Sequence, residues 1–152
     1  MAASAWVVYN FAKEYLMDGT IDLDTQTFDL HLYTSASNAQ TATILATGSL
    51  SGEVASGNGY TLAGKDLSAV TWGQGASATE RRFDCTAKIF SASGGSISNI
   101  KTAVIVARTG ASAKDPANKV LCYAQLSTAQ FTVTDGNTLT LTPSANGIFE
   151  LN

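Results

Sequence analysis

The sequence has 152 residues, a net charge of −3, 45% apolar residues and only 14% charged ones, where globular domains carry about 25% charge. That length supports one domain with a core of its own, and nine basic residues scattered from Lys13 to Lys119 form no phosphate-binding stripe, which excludes a nucleic-acid partner. A surface so poor in charge is weakly protected against association, and predicts a protein that works packed against copies of itself or another protein.

The opening segment, MAASAWVVYNFAKEYLM, has no basic start, and Asn10, Lys13 and Glu14 interrupt its apolar run, so it does not read as a signal peptide. No later segment approaches the roughly 20 apolar residues that span a bilayer. The expectation is a protein made in the cytoplasm and used without crossing a membrane, with no membrane partner and with its two cysteines, Cys85 and Cys122, reduced. Residues 5–17 predict a helix with Ser4 as its cap, because Val8, Phe11, Ala12 and Tyr15 fall at the spacing of an apolar stripe. Trp6, Tyr9, Lys13 and Leu16 give it a second, ring-rich face. Aromatic residues are enriched at interface cores, so Trp6, Tyr9, Phe11, Tyr15 and Leu16 are candidates for a subunit contact. Asp18-Gly19 closes the helix, since glycine adopts the left-handed conformation that ends one.

From Thr27 the side chains alternate, with Phe28, Leu30 and Leu32 on one side and Asp29, His31 and Tyr33 on the other, the period of a half-buried strand. Ser35 to Tyr60 is small and polar, with Ile44, Leu45, Leu50 and Val54 as its apolar points; it predicts a long loop of the partner-ordered kind, with Leu45 and Leu50 as further contact candidates. Tyr60 to Trp72 reads as one or two strands around Ala63-Gly64. Arg82 to Phe90 alternates as a single strand with Phe83, Cys85, Ala87 and Ile89 inward. Ile97 to Arg108 is a strand whose centre, Ala103 to Ala107, is apolar on both faces and therefore central in its sheet. Val120 to Leu126 alternates again. Phe131–Thr134 and Asn137–Leu141 flank Asp135-Gly136 and predict a hairpin, and Ile148 to Leu151 ends the chain. One helix and seven to nine short strands predict a mainly β fold: an antiparallel β-sandwich of jelly-roll type with one N-terminal α-helix, a single domain over 1–152 in which 1–18 form the helix or arm and 19–152 the sandwich.

No catalytic set can be assembled from these residues, and no enzyme is predicted. His31 is the sole histidine, expected on the outward face of its strand, and the cysteines are expected inward and far apart in sequence, so neither a zinc site nor a nucleophile–base pair is specified. GSLSG at 48–52 has Leu50 where a nucleophile elbow needs serine. GQGASA at 73–78 fits a dinucleotide loop in letters but precedes a strand, with no helix N-terminus to hold a pyrophosphate. Asp18, Asp22, Asp24 and Asp29 lack calcium-loop spacing and read as turn chemistry. No cofactor or metal is predicted.

GTIDLDTQTFDLHLYTS, VASGNGYTLAGKDLSAVTW, AVIVARTG, VLCYAQL and the closing GIFELN, taken in order from about Met17 to Leu151, resemble a family of small virion proteins of tailed bacteriophages, the head decoration or cement proteins. Ala63 stands where that family's G-x-G-Y-x-x-G-G segment has the first of its paired glycines, and the loop at 35–60 and the helix depart from its pattern. The resemblance implies a β-sandwich subunit, commonly a homotrimer, on the outer surface of the head, clamping neighbouring major capsid subunits. A tail or neck component of the same kind of virion is the alternative within that class, and a carbohydrate-binding sandwich using Trp72 and Tyr60 is the alternative outside it.

Overall fold

The computed structural model describes residues 4–41 and 43–151. Eleven strands and one helix follow in the order β1 (Val7–Val8), α1 (Asn10–Met17), β2 (Phe28–Thr34), β3 (Lys65–Asp66), β4 (Thr71–Gln74), β5 (Arg81–Asp84), β6 (Lys88–Ser91), β7 (Ile97–Ala107), β8 (Lys119–Gln125), β9 (Phe131–Val133), β10 (Thr138–Leu141) and β11 (Phe149–Leu151). A six-stranded sheet has the order β1-β8-β7-β2-β3, with β9 also paired to β7; β10-β6 and β11-β5-β4 form two smaller ribbons. Every pairing is antiparallel. The fold is thus a mainly β antiparallel sandwich with one helix.

The centre of β7 is buried on both faces from Thr102 to Ala107, as its unbroken apolar run requires of an interior strand. Its register with β2 sets Phe28 opposite Ala107, Leu30 opposite Ile105 and Leu32 opposite Ala103, and sets Asp29, His31 and Tyr33 opposite Val106, Val104 and Thr102. Side chains alternate across a strand, so these two sets lie on opposite faces. The ribbons cover the first face: the Phe28 and Phe83 rings meet edge-on at 5.0 Å, and Leu30, Ile105 and Leu126 share a cavity with Cys85, Leu141 and Ile148.

The second face is covered as well, and this corrects the expected outward orientation of its residues. Asp29, His31 and Tyr33 are all buried. The Tyr9 ring lies 5.0 Å from Tyr123 and its hydroxyl donates to the Ala39 carbonyl of the long loop. Gln40 Nε2 donates to Thr102 Oγ1 at 2.9 Å. The same loop then runs along the part of the β2 edge that β3 leaves open, where Thr34 N–H donates to Gly52 O at 2.8 Å and Val54 N–H to Leu32 O at 2.9 Å. Gly64 fixes the next approach: its φ is +64°, and a Cβ there would lie 1.9 Å from the Leu30 carbonyl oxygen, so no other residue fits without moving β2.

Three further expectations change. The helix begins at Asn10, not near Ala5, because the β-branched pair Val7-Val8 adds to the sheet beside Tyr123 and Cys122. Ser4 accordingly caps nothing; it lies along β8, with its N–H donating to Gln125 O at 2.8 Å and its Oγ accepting from Gln125 N–H at 2.9 Å. Residues 82–90 are two strands in different ribbons with a break at 85–87, and the inward phase resets from Phe83 to Phe90, leaving Ile89 exposed. Asp135-Gly136 joins β9 of the large sheet to β10 of a ribbon and closes no hairpin. Of the two residues only Gly136 has positive φ, as in a type II turn, whereas the type I′ turn that keeps two strands paired needs both.

Candidate functional site

The seven predicted contact residues do not share one surface. Tyr9 is fully buried and belongs to the packing between the sheet and the long loop. Trp6 is half-buried and lines the cavity between the sheet and the ribbons. Phe11 and Tyr15 remain on the helix surface with ring centroids 6.4 Å apart, and Lys119 Nζ sits 5.1 Å over the Tyr15 ring. Leu45 is exposed, and Leu50 lines a cleft on the covered face of the sheet.

Leu16 opens onto a different feature. With Met17, Ile21, Leu23, Trp72 and Leu151 it lines a groove of about 370 Å³ between the end of α1 and the ribbon formed by β11, β5 and β4. The helix stops here because Asp18 ends it, its carboxylate accepting from Thr20 N–H at 2.8 Å, while Ile21 N–H turns back to the Tyr15 carbonyl at 2.9 Å. Asp22 ties the following turn by accepting from Asp24 N–H and from the Thr25 hydroxyl. These bonds hold both carboxyls below the usual range, Asp18 through Thr20 N–H and Asp22 through the Thr25 hydroxyl. Asp18 and Asp22 thus do the turn chemistry expected of them, whereas Asp29, expected in the same role, is buried on β2 and accepts from Arg108. The turn carries Ile21 and Leu23 back into the core, and strands β4 and β11 are both edges of their ribbon. Met17 is 89% exposed and Leu151 49% exposed, so large apolar side chains stand free at the groove's rim.

The cleft at Leu50 is lined by four titratable groups. His31 and Tyr33 come from β2, Glu53 from the loop along its edge, and Lys114 from the loop between β7 and β8. His31 Nδ1 is 3.8 Å from Glu53 Oε1, beyond hydrogen-bond reach, and neither ring nitrogen has a partner among the described residues. Glu53 Oε1 accepts from the Tyr60 hydroxyl and from Ala63 N–H, each at 2.7 Å. Burial pushes the Glu53 carboxyl up and, with the charge of Arg108 adding to it, pushes His31 down to about 4. Among the described residues no hydroxyl or thiol is bonded to His31, so none of them pairs the chain's sole imidazole with a nucleophile.

The cysteines are both free, Cys122 buried and Cys85 half-buried. Cys85 was expected inward on a strand; it lies in the break between β5 and β6. Burial pushes its thiol up to about 11 and that of Cys122 well above the ordinary value, which keeps both protonated and unreactive at neutral pH. Among the described residues no three His, Cys, Asp or Glu side chains form a metal-binding group, and no helix is long and apolar enough to cross a membrane. Sequence reasoning missed Met17 and Leu151, although a large apolar residue beside a helix stop is a usable signal. It noted His31 but had no means of pairing it with Glu53. Comparison with protein-family models, curated proteins and solved structures gave no match.

Proposed function

We propose that this chain is a non-catalytic structural protein of a tailed-bacteriophage virion, a homotrimeric decoration subunit that clamps neighbouring major capsid subunits on the outer surface of the head after synthesis in the host cytoplasm. The observation that carries this reading is the groove at the end of α1, where Met17, Leu16, Trp72 and Leu151 present apolar surface on a molecule with few charges to resist association. The ordered resemblance along 17–151 supports the same class. Two edge strands border the groove, and such edges accept an added strand from a partner chain. Once one subunit of a trimer is seated, the others bind at high effective concentration, so individually weak contacts hold the shell firmly.

The test is a titration of purified protein onto expanded heads that lack it, counting bound copies by mass. Saturation at hundreds of copies in fixed ratio to capsid subunits is expected. Saturation at a handful moves the protein to the neck or tail, and no binding overturns the virion reading. Met17→Glu, at a position 89% exposed, is expected to weaken head binding at least tenfold while leaving thermal unfolding unchanged.

A further inference from the structure

We propose that the cleft around His31 is a binding site for a small, uncharged, hydroxyl-rich molecule, the size of one sugar ring or a short polyol. The proposal rests on this cleft alone and is independent of the virion reading. Its volume of about 240 Å³ lies below the roughly 300–1,000 Å³ of pockets for drug-sized ligands, which favours one ring over a chain.

His31 is the reason to expect a ligand. Its side chain is 3% exposed, yet among the described residues neither ring nitrogen has a hydrogen-bond partner, while the ring lines the cleft. Buried polar groups are nearly always paired, and each orphan calls for an explanation. Burial holds the ring neutral, its pKa near 4, so it offers one N–H donor and one bare nitrogen acceptor together. A hydroxyl group, which both donates and accepts, satisfies either nitrogen; both are closed to solvent in this structure, so binding requires a small shift of the cleft wall.

The surroundings narrow the class. Glu53 is locked in place because Tyr60 and Ala63 both bond to Oε1, which leaves Oε2 to accept from a ligand. Lys114 also lines the cleft and its charge acts on the Glu53 carboxyl, so one ammonium offsets one carboxylate and the cleft carries no net charge to hold an ion. Tyr33 lies nearly parallel to His31, at 13° and 6.3 Å between ring centroids. Leu50, Leu62 and Pro116 add apolar wall against which the C–H face of a sugar ring packs. A phosphate would meet the Glu53 carboxylate, and a guanidinium would meet Lys114; a neutral polyol meets neither penalty.

His31 is the sole histidine, so its ring resonances report on this cleft alone. The full chain is titrated with D-glucose, D-galactose, D-mannose, N-acetyl-D-glucosamine and glycerol, each to tens of millimolar, while the imidazole nitrogen and carbon shifts are followed by NMR. Inorganic phosphate and N-acetyl-L-arginine amide are run in parallel. The expected result is a saturable shift with at least one of the polyols, with Kd in the millimolar range, weakened at least tenfold by Glu53→Gln and severalfold by the exposed Lys114→Gln, and unchanged by Met17→Glu. Saturation by phosphate or by the arginine derivative alone overturns the assignment, as does the absence of a saturable shift with every polyol. Polyol binding that neither Glu53→Gln nor Lys114→Gln weakens places the ligand elsewhere and overturns it equally.

Discussion

The two faces of β2 are made by alternate residues of one seven-residue strand and are both buried, yet they are stabilised by different physics. On one face Phe28, Leu30 and Leu32 meet the ribbons through apolar contact, and Phe28 and Leu32 are wholly removed from solvent. On the other, Asp29 at 0% and His31 at 2% exposure lie under the long loop and the loop preceding β8. Alternation of apolar and polar residues therefore records which kind of layer covers each face; it does not record whether a face is covered. The apolar face needs only volume. The polar face needs a partner for each group, and among the described residues Asp29 has one where His31 has none.

The apolar face gives the largest expected loss. Phe28→Ala removes a ring packed against Phe83 at the middle of the sandwich and is expected to cost about 4 kcal/mol, since the site cannot collapse around the cavity; chemical denaturation followed by tryptophan fluorescence measures it. A loss below about 2 kcal/mol would mean that the ribbons are loosely docked.

On the polar face, Arg108 Nε donates to Asp29 Oδ2 at 3.0 Å and its terminal nitrogen to Asp29 Oδ1 at 2.5 Å, with Asp66 accepting from the same terminal nitrogen. Desolvation pushes the Asp29 carboxyl up, and the Arg108 guanidinium opposes it. Arg108→Ala leaves a buried carboxyl alone and is expected to cost about 3 kcal/mol. The double change Asp29→Asn with Arg108→Met is expected to cost less than Arg108→Ala alone, because no bare charge is then left inside. If the double variant is the less stable one, the pair is a net source of stability and not merely a satisfied liability.

His31 sharpens the contrast through pH. Its pKa is near 4 when folded against an ordinary 6.5, so between those values the unfolded chain binds the proton more readily. Stability from this group is therefore complete above about pH 6.5 and is lost as pH falls toward 4. The swing is about 3 kcal/mol by linkage. Comparing wild type with His31→Phe across pH 4 to 7 isolates it: the difference between the two is expected to change by that amount. A constant difference would mean that the imidazole is solvated in the folded protein.

The same contrast explains what the sequence disclosed. β7 was legible because Ala103 to Ala107 is apolar without interruption, and only an interior strand buries such a run. The Phe28, Leu30, Leu32 face was legible from its period. The cover of the opposite face was not, because Arg108 stands 79 residues from Asp29 and Glu53 lies in a loop with no period at all. Asp135-Gly136 marks the place of a turn but neither its type nor its strands, since only Gly136 has positive φ and a dipeptide carries no information about which sheet receives the next strand. Val7-Val8 fits helix and strand about equally, and the free edge of β8 decided between them. Of the exposed groove, Leu16 was legible from the helix, whereas Trp72 and Leu151 reach it only through the pairing of β4 and β11 with β5.

The smallest expected effect tests the seam between loop and sheet. Tyr9 was expected to face a partner and instead sits at 0% exposure, its hydroxyl bonded to the Ala39 carbonyl and its ring against Tyr123. Tyr9→Phe keeps the ring and removes that one hydroxyl, so the packing term is unchanged and the Ala39 carbonyl loses its donor. The expected global loss is about 1 kcal/mol. The change should be larger locally, because this bond fastens the long loop at Ala39 to the Tyr9 ring that packs on β8. Amide exchange in that segment is expected to quicken more than exchange in β7 and β8, as local opening without global unfolding requires. Equal acceleration in both would mean that the long loop unfolds only with the sandwich, and that the polar face is as cooperative a part of the core as the apolar one.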